Sequence, residues 1–286
     1  LGHWHGQLDG EEYIGMRVRA GFTITYDCPA PTPMMLCLSV HPSRRGDLET
    51  PDWLRTEPAI DVRQYIDGFG NICSRILAPA GRTVLSADFV VRDSGLPDEV
   101  APHATQALVQ DLPDEVLVYL QGSRYCETDR LSDLAWSLFG GIEPGWARAQ
   151  AIIDHVHAHI AFGYEHARPT KGAFEAQEEA RGVCRDYAHL AIAFLRCMNI
   201  PARYCTGYLG DIGVPVAGVM DFSAWCEAFL DGRWYAFDAR NHQPRIGRIL
   251  IARGRDAADV PIAHTFGQAF LAGFEVVTDE LVETAG

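Results

Sequence analysis

Lysine is nearly absent. Lys171 is the one lysine among 24 basic residues, and arginine supplies the rest. Genomic codon bias accounts for this, and it leaves the protein few amines for cross-linking to itself. Basic charge as a whole is also short, since 38 acidic residues bring the net charge to −14. That balance lacks the positive footprint which general nucleic-acid or anionic-membrane binding needs. No run approaches the roughly 18 apolar residues that span a bilayer. Residues 1–15 lack the basic and apolar regions of a secretory signal, and read as a leader or vector-derived remnant ahead of Met16. A free amine at Leu1 together with His3 would chelate copper or nickel, but a disordered tail is the simpler reading. No C-x-x-C pair occurs among Cys28, Cys37, Cys73, Cys126, Cys184, Cys197, Cys205 and Cys226. Their even number does not by itself imply disulfides in a chain of this length. The expectation is a cytoplasmic protein with reduced thiols. Internal repeats, low-complexity tracts and complete phosphate-loop signatures are also missing.

What is present is 286 residues of 48% hydrophobic content, enough for one large domain or two modest ones. In residues 17–26 the even positions Val18, Ala20, Phe22, Ile24 and Tyr26 are apolar and the odd ones are not. That period of two predicts a half-buried strand. Further β-rich runs at 34–40, 72–78 and 83–91 are separated by turns bearing proline and glycine. After about Asp93 the period changes. Leu131, Leu134 and Leu138 are helix-spaced and stop at Gly140 and Gly141. Pro144 opens a helix with Trp146, Ala149, Ile153, Val156 and Ile160 in one stripe. A third helix is predicted from near Val183 to Met198, apolar nearly all round and therefore buried. Strands follow at 202–209, 222–230 and 233–238. The chain divides on this reading into the leader, a β-rich domain at 16–110 and a second domain at 111–286.

Cys184 stands in the first turn of the buried helix, in Arg181-Gly182-Val183-Cys184-Arg185-Asp186-Tyr187. Unpaired N–H groups and the positive end of the helix dipole converge there and favour a thiolate. Arg185 and Arg181 add positive potential, and the same N–H groups can receive an oxyanion. Taken alone, the residue is as well read as a structural cysteine. Asp231-Gly232 then predicts a two-residue hairpin turn. The register that follows sets Trp225 opposite Asp238 and Ser223 opposite Arg240. Ser223 and Asp238 become diagonal neighbours, about 7–8 Å apart between backbones. The bland alternative is an amphipathic hairpin with a solvated carboxylate. The glycine-rich segment 210–221 reads either as a lid beside this hairpin or as a long connection.

A cysteine at a helix start, then Ala224-Trp225 on one strand, then Phe237-Asp238 ending the next, resembles the transglutaminase-like superfamily. Residues 160–164, Thr170-Lys171, residues 181–190 and Gly207-Tyr208 are similar to its bacterial members. The likeness spans about residues 146–240. It implies an α+β, papain-like core in which the Cys-bearing helix packs on an antiparallel sheet, preceded by a β-rich domain. It also implies amide chemistry through a thioester on Cys184, as hydrolysis or acyl transfer. Asp238 takes the family's third catalytic place, and Tyr208 and Trp225 line the acyl site. The implied substrate is a peptide or protein amide, and no cofactor is called for.

One position departs from the pattern. The family's histidine, two before the strand tryptophan, is Ser223 here. A hydroxyl does not titrate near neutral pH, whereas the histidine takes the proton from sulfur and returns one to the leaving amine. Asp238 is left without an imidazole to orient. His242, just past Asp238, is a substitute if it folds back over the cleft. His189, five residues after Cys184 and so about 140° around the helix, points the wrong way and reads as a core residue. His155 and His159, four apart on a helix with Asp154 adjacent, have a spacing compatible with a metal, but no third ligand stands at a telling spacing and they read as a solvated face. Two functions remain open: a cysteine-dependent amidase or peptidase, or a silent binding module that keeps the fold.

Overall fold

The computed structural model describes residues 5–8, 11–216, 218 and 220–282. Leu1 and His3, the candidate chelate, lie outside the described residues. The strands β1 (His5–Leu8) and β2 (Glu11–Ile14), within the stretch read as a leader, pair with each other. There follow β3 (Met16–Cys28), β4 (Thr32–Leu36), β5 (Arg55–Glu57), β6 (Arg63–Ile66), β7 (Ile72–Ala78) and β8 (Gly81–Asp93). The helical stretch holds α1 (Thr128–Phe139), α2 (Trp146–His159), the short β9 (Ala161–Phe162), α3 (Ala173–Glu179), the short β10 (Arg181–Gly182) and α4 (Cys184–Cys197). The chain closes with β11 (Ala202–Tyr208), β12 (Phe222–Leu230), β13 (Arg233–Phe237), β14 (Ile249–Gly254), β15 (Ala263–Thr265) and β16 (Phe270–Glu280). The protein is thus α+β, with a strand-rich region ahead of the helical core.

The alternation in β3 buries Val18, Ala20, Phe22 and Ile24, the apolar set that the period of two picked out. Two antiparallel sheets of four strands form the first region, ordered β16-β3-β8-β5 and β15-β4-β7-β6. Both include strands from the end of the chain. β15 and β16, from the stretch 111–286, return to pair within the first region. The physical reason is the length of β3. Left on an edge, its 13 residues would expose a row of unpaired backbone groups, and β16 covers that row from Val18 to Asp27. The two regions also share one core. Phe22 meets Phe222 at 6.1 Å between ring centroids, and Phe89 meets Tyr208 at 5.6 Å.

Helix α4 lies at the centre, with every residue from Asp186 to Cys197 buried. It packs on the antiparallel sheet β13-β12-β11-β14. The β12–β13 hairpin has the register its turn dictates. Leu230 pairs with Arg233, and Asp231 and Gly232 have φ of +49° and +78°, the positive values of a type I′ turn. Gly207 marks a close approach in this sheet. It pairs with Ser223 at the site, sits at a register shift against β14, and a Cβ there would lie 2.0 Å from the Ile249 carbonyl oxygen. Gly207→Ala is expected to destabilise the fold by about 1–3 kcal/mol, as overpacking does. That is a fall of roughly 2–4 °C in Tm for each kcal/mol in a domain of this size. Thermal unfolding checks it, and an unchanged Tm would show that the strand yields without strain.

Candidate functional site

Cys184 is the first residue of α4, and local chemistry fixes the turn before it. Asp186 accepts the Val183 N–H at 3.0 Å, which caps the helix through its third residue. The carboxylate crowds Gly182, where a Cβ would sit 2.5 Å from Asp186 Oδ2. The Gly-Val-Cys-x-Asp spacing thus has a steric cause. Upstream, β10 pairs in parallel with β9 and brings Phe162 beside Gly182. Lys171, almost fully buried, donates to the Arg181 carbonyl at 3.0 Å and pairs with Glu179 at 2.9 Å. The single lysine therefore braces the approach to Cys184 and presents no free amine.

The sulfur faces a cleft lined by Phe162, Tyr164, Asp221, Ser223, Arg240 and Asn241. Opposite the helix, the backbone of Ala224 in β12 hydrogen-bonds the sulfur. The amides of Cys184 and Arg185 lie ahead of the helical ladder, whose first bonds run from Asp186 and Tyr187 to the Val183 carbonyl. The other seven cysteines are buried. Cys184 alone among the eight combines a helix head with an open cleft.

The resting sulfur is a thiol. Burial pushes its pKa up, the Asp221 carboxylate pushes it further, and the Ala224 bond and Arg240 oppose them; the result is about 11. This corrects the expectation of a thiolate held by the helix terminus and two arginines. The dipole acts over the last turn and is worth at most about 2 kcal/mol, less than desolvation beside an anion. Arg185 does not help, because its guanidinium bonds the Arg168 carbonyl and lies 5.4 Å from the Tyr125 ring centroid. Arg240, stacked 4.2 Å from the Phe162 centroid, is the cation that faces the sulfur.

Asp238 is buried at the end of β13, close enough for its charge to act on Cys184. Its carboxylate accepts from Arg248 Nη2 at 2.9 Å, the Asn241 N–H at 2.9 Å and Asn241 Nδ2 at 2.7 Å. Burial alone would raise its pKa, but Arg248 and Asn241 outweigh burial and hold it below the ordinary carboxylate value. Arg248 is shared with Asp98, whose oxygens lie 2.8 and 2.9 Å from its Nε. The structure thus gives Asp238 the partner that the sequence left open: a guanidinium and an amide where the family arrangement has an imidazole.

The remaining predicted residues separate. Ser223 lines the cleft with Arg240, but the β12–β13 ladder ends at Cys226–Phe237, so the expected Trp225–Asp238 and Ser223–Arg240 pairs do not form in it. His242 does not fold back. Its Nε2 is 2.8 Å from Asp154 Oδ1 and its ring stacks 4.2 Å from that of His157, on a different side of the Asp238 turn. Its backbone N–H bonds the Asp238 carbonyl with φ at +55°, which directs the side chain outward. Trp225 and Tyr208 are core aromatics and not part of the cleft lining. Trp225 packs with Cys205 and Leu250 beneath the Arg248 guanidinium, and Tyr208 meets Phe89 edge-on. His189 is buried, stacked 5.1 Å from Tyr125, and accepts the Ala257 N–H at 3.1 Å, in line with its core reading. His155 is not on a solvated face, since it packs against Phe139 and Phe194. Among the described residues, no histidine lines the cleft. The sequence pattern does not single out Tyr164 or Asp221 as cleft residues. Asp221 immediately precedes β12, two residues before Ser223, and that nearness in sequence is the signal for it.

The transglutaminase-like superfamily profile matches residues 132–239. The solved structure of a candidate cysteine protease from Cytophaga hutchinsonii is 30% identical, with a TM-score of 0.80 over 95% of this chain and 93% of that one. An uncharacterized protein of Mycobacterium leprae is 28% identical over 72% of this chain and 76% of its own. One from Mycobacterium tuberculosis is 27% identical over 68% of each.

Replacing Arg248 with methionine is expected to destabilise the protein by about 3–5 kcal/mol, because it strands a buried carboxylate. The pH dependence follows from the shift at Asp238. With its folded pKa depressed, its stabilisation is complete above the unfolded value of 3.8 and is lost as pH falls through the folded one. In the variant the stranded carboxylate has a raised folded pKa, so its penalty is relieved as it protonates. The difference between variant and wild type should narrow in acid, measured by denaturant unfolding across pH. A difference that stays constant would remove the Asp238 ion pair from the account.

Proposed function

Since the chain belongs to the transglutaminase-like superfamily, we propose that it is a cysteine-dependent amide-bond hydrolase that works through a thioester on Cys184. Acyl transfer to an amine is a second outlet for the same thioester. The observation that carries the reading is the setting of Cys184: a free thiol at the head of a buried helix, open to a cleft, with a backbone donor on its sulfur and the helix's first amides beside it. Those amides are suited to receive the oxyanion that forms as sulfur attacks a carbonyl. Phe162, Tyr164 and Arg240 line the cleft, with Arg240 over the Phe162 ring, and the substrate in this reading is a peptide or protein amide. The reading needs Cys184 as a free thiol, a state that a reducing, cytoplasmic setting would preserve. No helix among the described residues is long and apolar enough to cross a membrane.

The thiol state predicts slow chemistry. A sulfur near pKa 11 must give up its proton during attack, so activated acyl donors will react far faster than simple amides. Incubation with an acyl thioester, followed by intact-protein mass spectrometry, should show one acyl adduct, mapped to Cys184 and lost in Cys184→Ala. The lack of any adduct on a folded protein would contradict the proposal. The same probe bound without an adduct would favour the silent binding module instead.

A further inference from the structure

Building on the function proposed above, a second group in the cleft completes the chemistry. Asp221 is the last residue before β12, and its side chain lines the same cleft as the Cys184 sulfur. Three residues on, Ala224 makes the backbone bond to that sulfur, so the strand that carries Asp221 is docked on the head of α4. The Asp221 carboxylate has no ion-pair partner among the described residues, although it is only part-exposed. The charged and titratable groups around it are Cys184, Tyr164, Arg240 and the Asp211–Arg245 pair. A part-buried carboxylate without an ion-pair partner, held by the Phe222 N–H and facing a thiol, is costly as packing. It is what a proton acceptor requires.

We propose that Asp221 does the work of the absent imidazole, taking the Cys184 proton as sulfur attacks and returning it to the leaving amine. The steps balance. The S–H bond breaks and its proton goes to the carboxylate, while sulfur bonds the amide carbon and the carbonyl pair moves onto oxygen. That pair returns as the C–N bond breaks, and the Asp221 proton goes to the departing nitrogen. Water then attacks the thioester carbon and gives one proton to Asp221. The C–S bond breaks, the acid leaves, and the Asp221 proton restores the thiol. Burial also raises the Asp221 pKa, opposed by the Phe222 N–H and Arg240, which brings its basicity closer to that of a useful general base.

Asp221→Asn separates a proton carrier from a mere neighbouring charge. Removing the anion makes the thiolate easier to form, so alkylation of Cys184 by iodoacetamide should quicken. Turnover of a peptide anilide should instead fall by roughly 10²–10⁴-fold, the usual loss for a general acid–base. Asp221→Glu should recover part of it, and the acid limb of kcat/KM should vanish in Asp221→Asn. Opposed changes in alkylation and turnover support the role. Unchanged turnover, or a rise alongside alkylation, overturns it and leaves Cys184 as nucleophile. Wild-type protein that never turns over the anilide and never acylates removes the proposed function, and the role of Asp221 with it.

Discussion

The docking of the head of α4 on β12 is the constraint from which the site follows. A hydrogen bond from the Ala224 backbone to the Cys184 sulfur joins the two elements at the point where the helix has unpaired amides to offer. Each neighbour serves that contact. Asp186 caps Val183, Gly182 leaves room for the cap, and Lys171 anchors the Arg181 carbonyl just upstream. On the sheet side, Gly207 lets β11 run close to β14 and still pair with Ser223.

Charges beside the cleft are tied together. Asp98, Arg248, Asp238 and Asn241 form a connected set, and Asn241 Oδ1 joins it to Arg240 and Arg245 of the cleft. Such a set holds the strand ends in place and leaves Asp238 with little capacity for acid–base work. In the cleft, Cys184 and Asp221 are two acidic groups that cannot both be charged without strain. Arg240 offsets them only in part.

Much of this was legible in the sequence. The period of two in β3, the stripe of α2 and the buried run of α4 each specify an element through one-dimensional spacing, and Asp231-Gly232 fixes the hairpin register. Cys184 and Ser223 fall in one cleft for that reason. The rest depends on three-dimensional neighbours that no spacing encodes. Arg248 reaches Asp238 from ten residues away, across an irregular turn. His242 turns outward because its positive φ and its bond to Asp154 outweigh its nearness in sequence to the site. Trp225 and Tyr208 were assigned to the acyl site by resemblance, but the core takes them, because a large buried ring gains more from packing than from lining a cleft. The sulfur's charge state was also hidden, since dipole and burial act on it in opposite directions and only coordinates say which is larger.

The account stands on a cleft that holds the Cys184 sulfur as a thiol and, among the described residues, has no imidazole in its lining. Thiolate absorbance near 240 nm, taken as the difference between wild type and Cys184→Ala across pH, measures that state directly. The structure predicts that the Cys184 signal is absent at neutral pH and appears with a midpoint of about 11. A signal that titrates between about pH 6 and 7, where an imidazole partner would set it, would contradict the account at its base.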